Sequence, residues 1–210
     1  MREASFCLGA TILAAGRSVR MGRPKMLLPW GETSILGHLI KQWELAEASP
    51  VMVVQAAYDQ TVLAELDRLA FPAQQRVENP KPDRGMFSSV LCAAESIARF
   101  PILTHYAFVL GDQPHLQIET LVNLIEFARQ HPDQVCQPIR ENKYRHPVVL
   151  PRSAIVALSR SKAANLKEFL LAYEVAGFPC NDPGFGLDID RPEDYEKALA
   201  LAGLATRKRG

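Results

Sequence analysis

The chain has almost no surplus of charge. Across 210 residues, 24 Lys and Arg meet 23 Asp and Glu, leaving a formal net charge of +1. Proteins that grip nucleic acid through bulk charge need an excess of cations to displace counterions, so no nucleic-acid partner is expected. Long hydrophobic runs are lacking too. The apolar stretches are short and edged by charges, far below the roughly 20 residues of a membrane-spanning helix. The opening MREASFCLGATILAAGR has a basic residue and then a hydrophobic stretch, a faint likeness to a secretion signal. Its apolar part is too short for one, and the residues after Ala15 read as a functional loop.

The four cysteines, Cys7, Cys92, Cys136 and Cys180, form no C-x-x-C pair. Three lie in apolar surroundings, where Cys acts as a small buried hydrophobe. No base beside them would activate a thiol. A reducing, cytoplasmic setting is the expectation. Two phosphate-binding signatures are also missing. The P-loop fails because Arg23 and Pro24 follow Gly22, and Met26 follows Lys25; the dinucleotide fingerprint fails because no glycine stands two residues after Gly16.

What is present is ordinary globular composition, 48% hydrophobic and 22% charged. The length suffices for a core without disulfide or metal staples. With no linker, repeat or composition break, residues 1–210 read as one domain. The basic tail ATRKRG reads as solvated. Short apolar runs alternate with amphipathic stretches, the pattern of β-α-β units around a mostly parallel sheet. Expected strands are Cys7–Ala14, Val51–Ala56, Arg76–Glu78, Tyr106–Leu110, Val135–Ile139 and His146–Leu150, then a late strand before NDPGFG and one at Leu187–Asp190. Between them the 3.6-residue period predicts helices at Ser34–Ala46 (capped by Thr33 or Ser34), Thr61–Leu69, Ser88–Arg99, Ile118–Gln130, Ser153–Leu158 and Asn165–Tyr173. A last helix carries Glu193, Asp194 and Glu196 in its first turn, acids that suit the positive helix end.

Three stretches carry chemistry. The first strand runs directly into LAAGRSVRMGRPK, Leu13 to Lys25. The small residues Ala14, Ala15 and Gly16 let a flat or anionic ligand approach the backbone. Exposed amides of such a loop form an anion site, and Arg17, Arg20, Arg23 and Lys25 add cations suited to phosphate. Open α/β sheets bind ligands at this position, and a polyphosphate is the natural occupant. The second stretch is Gly111-Asp112-Gln113-Pro114, after the strand YAFVL. Its carboxylate would repel a polyphosphate unless Mg2+ stood between them, since Mg2+ takes carboxylate and phosphate oxygens together. The third is Leu187-Asp188-Ile189-Asp190-Arg191-Pro192-Glu193-Asp194. On a strand Asp188 and Asp190 would share a side. Asp190 also reads as N-cap of the last helix, with Pro192 in its first turn.

Together LAAGRSVRMGRPKMLLPWGETSIL, NPKPDRGMFSSV, LGDQP, RHPVVL and LDIDRPEDY resemble the MobA-like nucleotidyltransferases, most of all their molybdenum cofactor cytidylyltransferase branch. The likeness spans nearly the whole chain in order. It implies a three-layer α/β/α Rossmann-like nucleotidyltransferase fold with a mostly parallel central sheet. It implies that Leu13, Ala14, Ala15, Gly16, Arg17, Arg20 and Lys25 bind nucleotide, with Asn79, Gly85 and Ser89 near the base. Lys25 and Arg20 would serve catalysis, and Asp112 and Asp188 would hold Mg2+, the choice between Asp188 and Asp190 staying open. His146 and Asp190 are candidates for the acceptor side. Where the family commonly shows glycine before the His-Pro pair, this chain has Arg145.

The implied reaction passes a nucleoside monophosphate, CMP from CTP by branch resemblance with GTP the rival donor, to a phosphorylated acceptor such as molybdopterin. A molybdoenzyme would receive the product. The alternatives are a sugar- or polyol-phosphate nucleotidyltransferase of the same fold and a non-catalytic accessory protein that carries nucleotide or cofactor.

Overall fold

The computed structural model describes residues 5–204. The basic tail from Ala205 onward, and the first four residues of the signal-like opening, lie outside the described residues. Ten strands and seven α-helices follow in the order β1 (Leu8–Leu13), β2 (Pro29–Trp30), β3 (Thr33–Ser34), α1 (Ile35–Leu45), β4 (Val51–Ala56), α2 (Gln60–Arg68), β5 (Arg76–Asn79), α3 (Met86–Ser96), β6 (His105–Leu110), α4 (Ile118–Gln130), β7 (Val135–Arg140), β8 (Lys143–Tyr144), β9 (Val148–Pro151), α5 (Arg152–Leu158), α6 (Leu166–Leu170), β10 (Val175–Pro179) and α7 (Pro192–Leu201).

The main sheet has the order β10-β7-β9-β6-β1-β4-β5, with β8 added on β7. β1 pairs in parallel with both β4 and β6, β4 with β5, and β7 with β10. β9 runs antiparallel between β6 and β7. Every residue of β1 and β4 is buried, which is why both read as near-continuous apolar runs, interrupted only by Thr11 and Gln55, and not as alternating strands. Their side chains still alternate in destination. Ala10, Ile12, Val51 and Val53 join the core under α1, α2, α4 and α7. Leu13, Met52 and Val54 join the core under α3, α5 and α6. Helices therefore cover both faces, the expected three layers.

Several local expectations hold at the residue level. Ser34 caps α1, its Oγ accepting from Gly37 N at 3.0 Å, a contact that contributes about 1 kcal/mol in comparable helices. Leu39 and Trp43 face the core. Others need correction. Leu187–Asp190 is not a strand but an extended coil. Its alternation arises because Ile189 is fully buried between two acids and its N–H is held by Asp112 O at 3.0 Å. Asp190 does not cap the last helix. Arg191 is the residue before it, and Asp194 accepts from Arg191 N at 3.1 Å. Glu193 and Asp194 occupy the first turn of α7, and Glu196 lies beyond it. Strand His146–Leu150 starts two residues later, after a cis His146–Pro147 bond.

Candidate functional site

β1 ends where Ala14 N donates to Val54 O at 2.8 Å. Beyond it the chain folds back on itself. Ser18 takes a left-handed conformation at φ 51°, Gly22 does so at φ 69°, and a single turn of 3-10 helix, Val19–Met21, lies between. Ser18 Oγ accepts from Lys25 N at 3.1 Å, closing the loop. Arg17, Arg20 and Lys25 thereby face one cleft of about 530 Å³. Arg23 does not; its guanidinium lies 5.9 Å from the centre of the Tyr195 ring.

The cleft floor is the carboxyl edge of the sheet, as ligand-binding α/β sheets require. Leu13, Ala14, Ala15 and Gly16 line one side, Gly85 and Ser89 another, and Gly111, Asp112 and Asp190 a third. A Cβ built on Gly16 meets nothing within 4 Å, so its backbone is open to a ligand. Gly85, at φ +86°, is the residue before α3. A Cβ on Gly111 would meet Met26 Sδ at 2.8 Å and Leu13 O at 3.0 Å, so the end of β6 approaches the loop as closely as backbone allows.

The charges meet across this cleft. Lys25 Nζ lies 3.4 Å from Asp112 Oδ2 and 3.5 Å from Asp190 Oδ1. Arg20 Nη1 lies 2.9 Å from Asp190 Oδ2. Arg17 Nη2 pairs with Asp83 Oδ1 at 2.6 Å, and its Nε donates to Tyr58 OH at 3.3 Å. Burial pushes the Asp112 carboxyl above its ordinary range; Lys25 opposes that shift and Asp188 adds to it. The other oxygen, Asp112 Oδ1, is buried without a partner.

Three expected residues stand beside the cleft without lining it. Asn79 is buried; its Nδ2 donates to Ser88 Oγ at 2.8 Å and Ser89 Oγ at 2.9 Å, and its Oδ1 accepts from Lys81 N at 2.9 Å, so it shapes the loop before α3. Asp188 is exposed and accepts from Gln113 Nε2 at 2.8 Å. His146 sits at the same sheet edge, because Val148 of β9 pairs with Phe108 of β6. Burial holds its imidazole below the usual histidine range, against the raising influence of the Phe108 backbone and Asp188, and Nδ1 is unpartnered. Sequence reasoning passed over Ser18, Asp83 and Gln113. Asp83 carried a signal, as an acid inside the proline-rich basic loop NPKPDRG.

Among the described residues no three His, Cys, Asp or Glu side chains gather in the manner of an all-protein metal cage. Divalent cations such as Mg2+ commonly take one or two carboxylates plus substrate phosphates and water. Asp112, whose Oδ1 is buried without a partner, and Asp190 both line the cleft and carry hard oxygen donors of that type.

An eight-stranded, mostly parallel sheet between helix layers, with a cation-rich loop after its first strand, defines the Rossmann-like nucleotidyltransferase fold. A nucleotidyl transferase from Methanothermobacter thermautotroptrophicus superposes with a TM-score of 0.73 at 19% identity, covering 91% of this chain and 95% of that one. The chain belongs to the MobA-like NTP transferase domain family, whose model matches residues 10–176. It is 29% identical to the molybdenum cofactor cytidylyltransferase of Escherichia coli K12 over 187 residues, 88% of this chain and 91% of that protein. It is 27% identical to a molybdenum cofactor guanylyltransferase of Rhizobium johnstonii over 205 residues, 91% of each.

Proposed function

We propose that this MobA-like protein transfers CMP from CTP to a phosphorylated acceptor of the molybdopterin type, releasing pyrophosphate, with Mg2+ as cofactor and in the cytoplasm. The observation that carries the reading is the meeting of Lys25, Arg20, Asp112 and Asp190 from three distant stretches around one cleft. Family membership and likeness to the cytidylyltransferase support it; the guanylyltransferase at 27% identity keeps GTP as the rival donor.

In this reading an acceptor phosphate oxygen bonds to the α-phosphorus, the bond from that phosphorus to the bridging oxygen breaks, and pyrophosphate departs with the electron pair. An ionised phosphate needs no general base. The protein's task is alignment and charge compensation. Ala14, Ala15 and Gly16 admit the nucleoside against bare backbone, and Asn79 holds the Ser88–Ser89 wall in place. Lys25 and Arg20 compensate charge that builds on the triphosphate oxygens. Asp112, with Asp190 or Asp188, would hold Mg2+, which when bound supplies further charge neutralisation and a template for the phosphates. His146 and Asp190 lie toward the acceptor. The product would pass to a molybdoenzyme.

A thermal-shift panel of CTP, GTP, UTP and ATP, each with and without Mg2+, tests the donor, because a ligand selective for the folded state raises apparent stability with the logarithm of its concentration over Kd. CTP with Mg2+ should give the largest shift, and pyrophosphate release should require a molybdopterin-type acceptor. Four null shifts would overturn the reading.

A further inference from the structure

The two cations assigned to phosphate already hold an anion. Asp190 bridges them, one carboxylate oxygen 2.9 Å from Arg20 Nη1 and the other 3.5 Å from Lys25 Nζ. Lys25 also reaches Asp112 at 3.4 Å, and its side chain is only 13% exposed. Arg17 is likewise paired, with Asp83. All three cations that line the cleft therefore meet a carboxylate from another segment.

A carboxylate that spans an arginine and a lysine offers what a phosphate offers there: two oxygens, negative charge and hydrogen-bond acceptance. We propose that Asp190 is an internal stand-in for a substrate phosphate and an autoinhibitory contact, released when a divalent cation offers the carboxylate a stronger partner. The inference rests on the nucleotidyltransferase reading of the same cleft.

The energetic logic is an exchange of partners. A bare polyphosphate must evict Asp190 from Arg20 and Lys25, and the evicted carboxylate then faces the incoming anion in a partly buried site, where like charges repel strongly. With a divalent cation present, both Asp190 and the orphaned Asp112 Oδ1 acquire a positive partner, and Arg20 and Lys25 become free for phosphate. Metal and polyphosphate then bind with positive coupling, each raising the affinity for the other by the same factor. A free anion, such as inorganic phosphate, is kept out of the site while no metal is present.

Inorganic tripolyphosphate is the probe, because it tests the cation site without base or acceptor contacts. Its affinity is measured by calorimetry for the wild type, Asp190→Asn, Asp190→Ser and Glu126→Gln, in EDTA and in Mg2+. Glu126 pairs with Arg129 on the exposed side of α4 and controls for the change in net charge. In EDTA the two Asp190 variants should bind about tenfold tighter than the wild type, a difference of roughly one decade in Kd, with Glu126→Gln unchanged. Their gain on adding Mg2+ should shrink. Two folded variants, checked by thermal melts, that bind metal-free tripolyphosphate no better than the wild type would overturn the inference. Failure of the wild type to bind any Mg-nucleotide would instead overturn the functional reading, so the two failures are separable.

Discussion

Lys25 stands between two carboxylates at the one point where the loop after β1, the end of β6 and the approach to α7 converge. Its backbone is fixed independently of its ammonium group, by Ser18 Oγ on Lys25 N and by the turn in which Leu28 N donates to Lys25 O at 3.0 Å. Truncating the side chain therefore removes charge and leaves the loop's own hydrogen bonds in place. Lys25→Ala should lower the rate of pyrophosphate release by about 100- to 1,000-fold, the scale seen when one preorganised stabilising donor is lost. Its circular dichroism spectrum should match the wild type. A variant with near-normal turnover would remove Lys25 from the chemistry.

At the scale of elements, the end of β6 lies in close contact with the loop after β1. Gly111 is packed against Met26 Sδ and the carbonyl of Leu13, and a methyl group there would sit 3.0 Å from an oxygen that belongs to β1 and cannot swing aside. Gly111→Ala should cost about 1–3 kcal/mol, the usual cost of overpacking. It should also lower turnover, because Asp112 is the next residue. Urea unfolding together with steady-state kinetics reads both effects; an alanine variant of wild-type stability would show that Leu13 and Gly111 can part. The same elements show what the sequence could reveal. β1, β4 and β6 were legible because buried strands are runs of apolar residues, and the loop after β1 was legible because its cations lie within nine positions. β2, β3 and β8 are two-residue strands, too short to show a period. The stretch LDID had the period of a strand, but the cause is one buried Ile189. The ion pairs of Lys25 with Asp112 and Asp190 join residues far apart in sequence, and no local pattern encodes which of two nearby acids turns inward. Asp190 does, while Asp188 goes to Gln113.

For the molecule as a whole, folding also sets the proton affinity of its buried histidines. His105 begins β6 at the edge opposite the site, buried and stacked on Phe6 with ring centres 4.4 Å apart. Its Nε2 faces Pro132 O at 2.8 Å and therefore donates, and its Nδ1 lies 2.9 Å from Thr104 Oγ1. Burial holds its pKa below the ordinary value, with Pro132 and Asp133 opposing. His38 on α1 is lowered in the same direction, by burial and by Lys41, against its bond to Pro114 O. A histidine lowered in the folded state binds fewer protons there than in the unfolded chain. Its contribution is intact above the unfolded pKa, near 6.5, and is lost as pH falls from that value toward the folded one. Three such groups, His38 on a helix, His105 at the far edge of the sheet and His146 beside the cleft, should make global unfolding easier below about pH 6.5. Urea midpoints of the metal-free protein between about pH 7.5 and pH 5.5 should decline toward acid, and His105→Gln should show a shallower decline because its replacement takes up no proton. Parallel pH profiles for the wild type and His105→Gln would show that His105 does not couple protonation to folding.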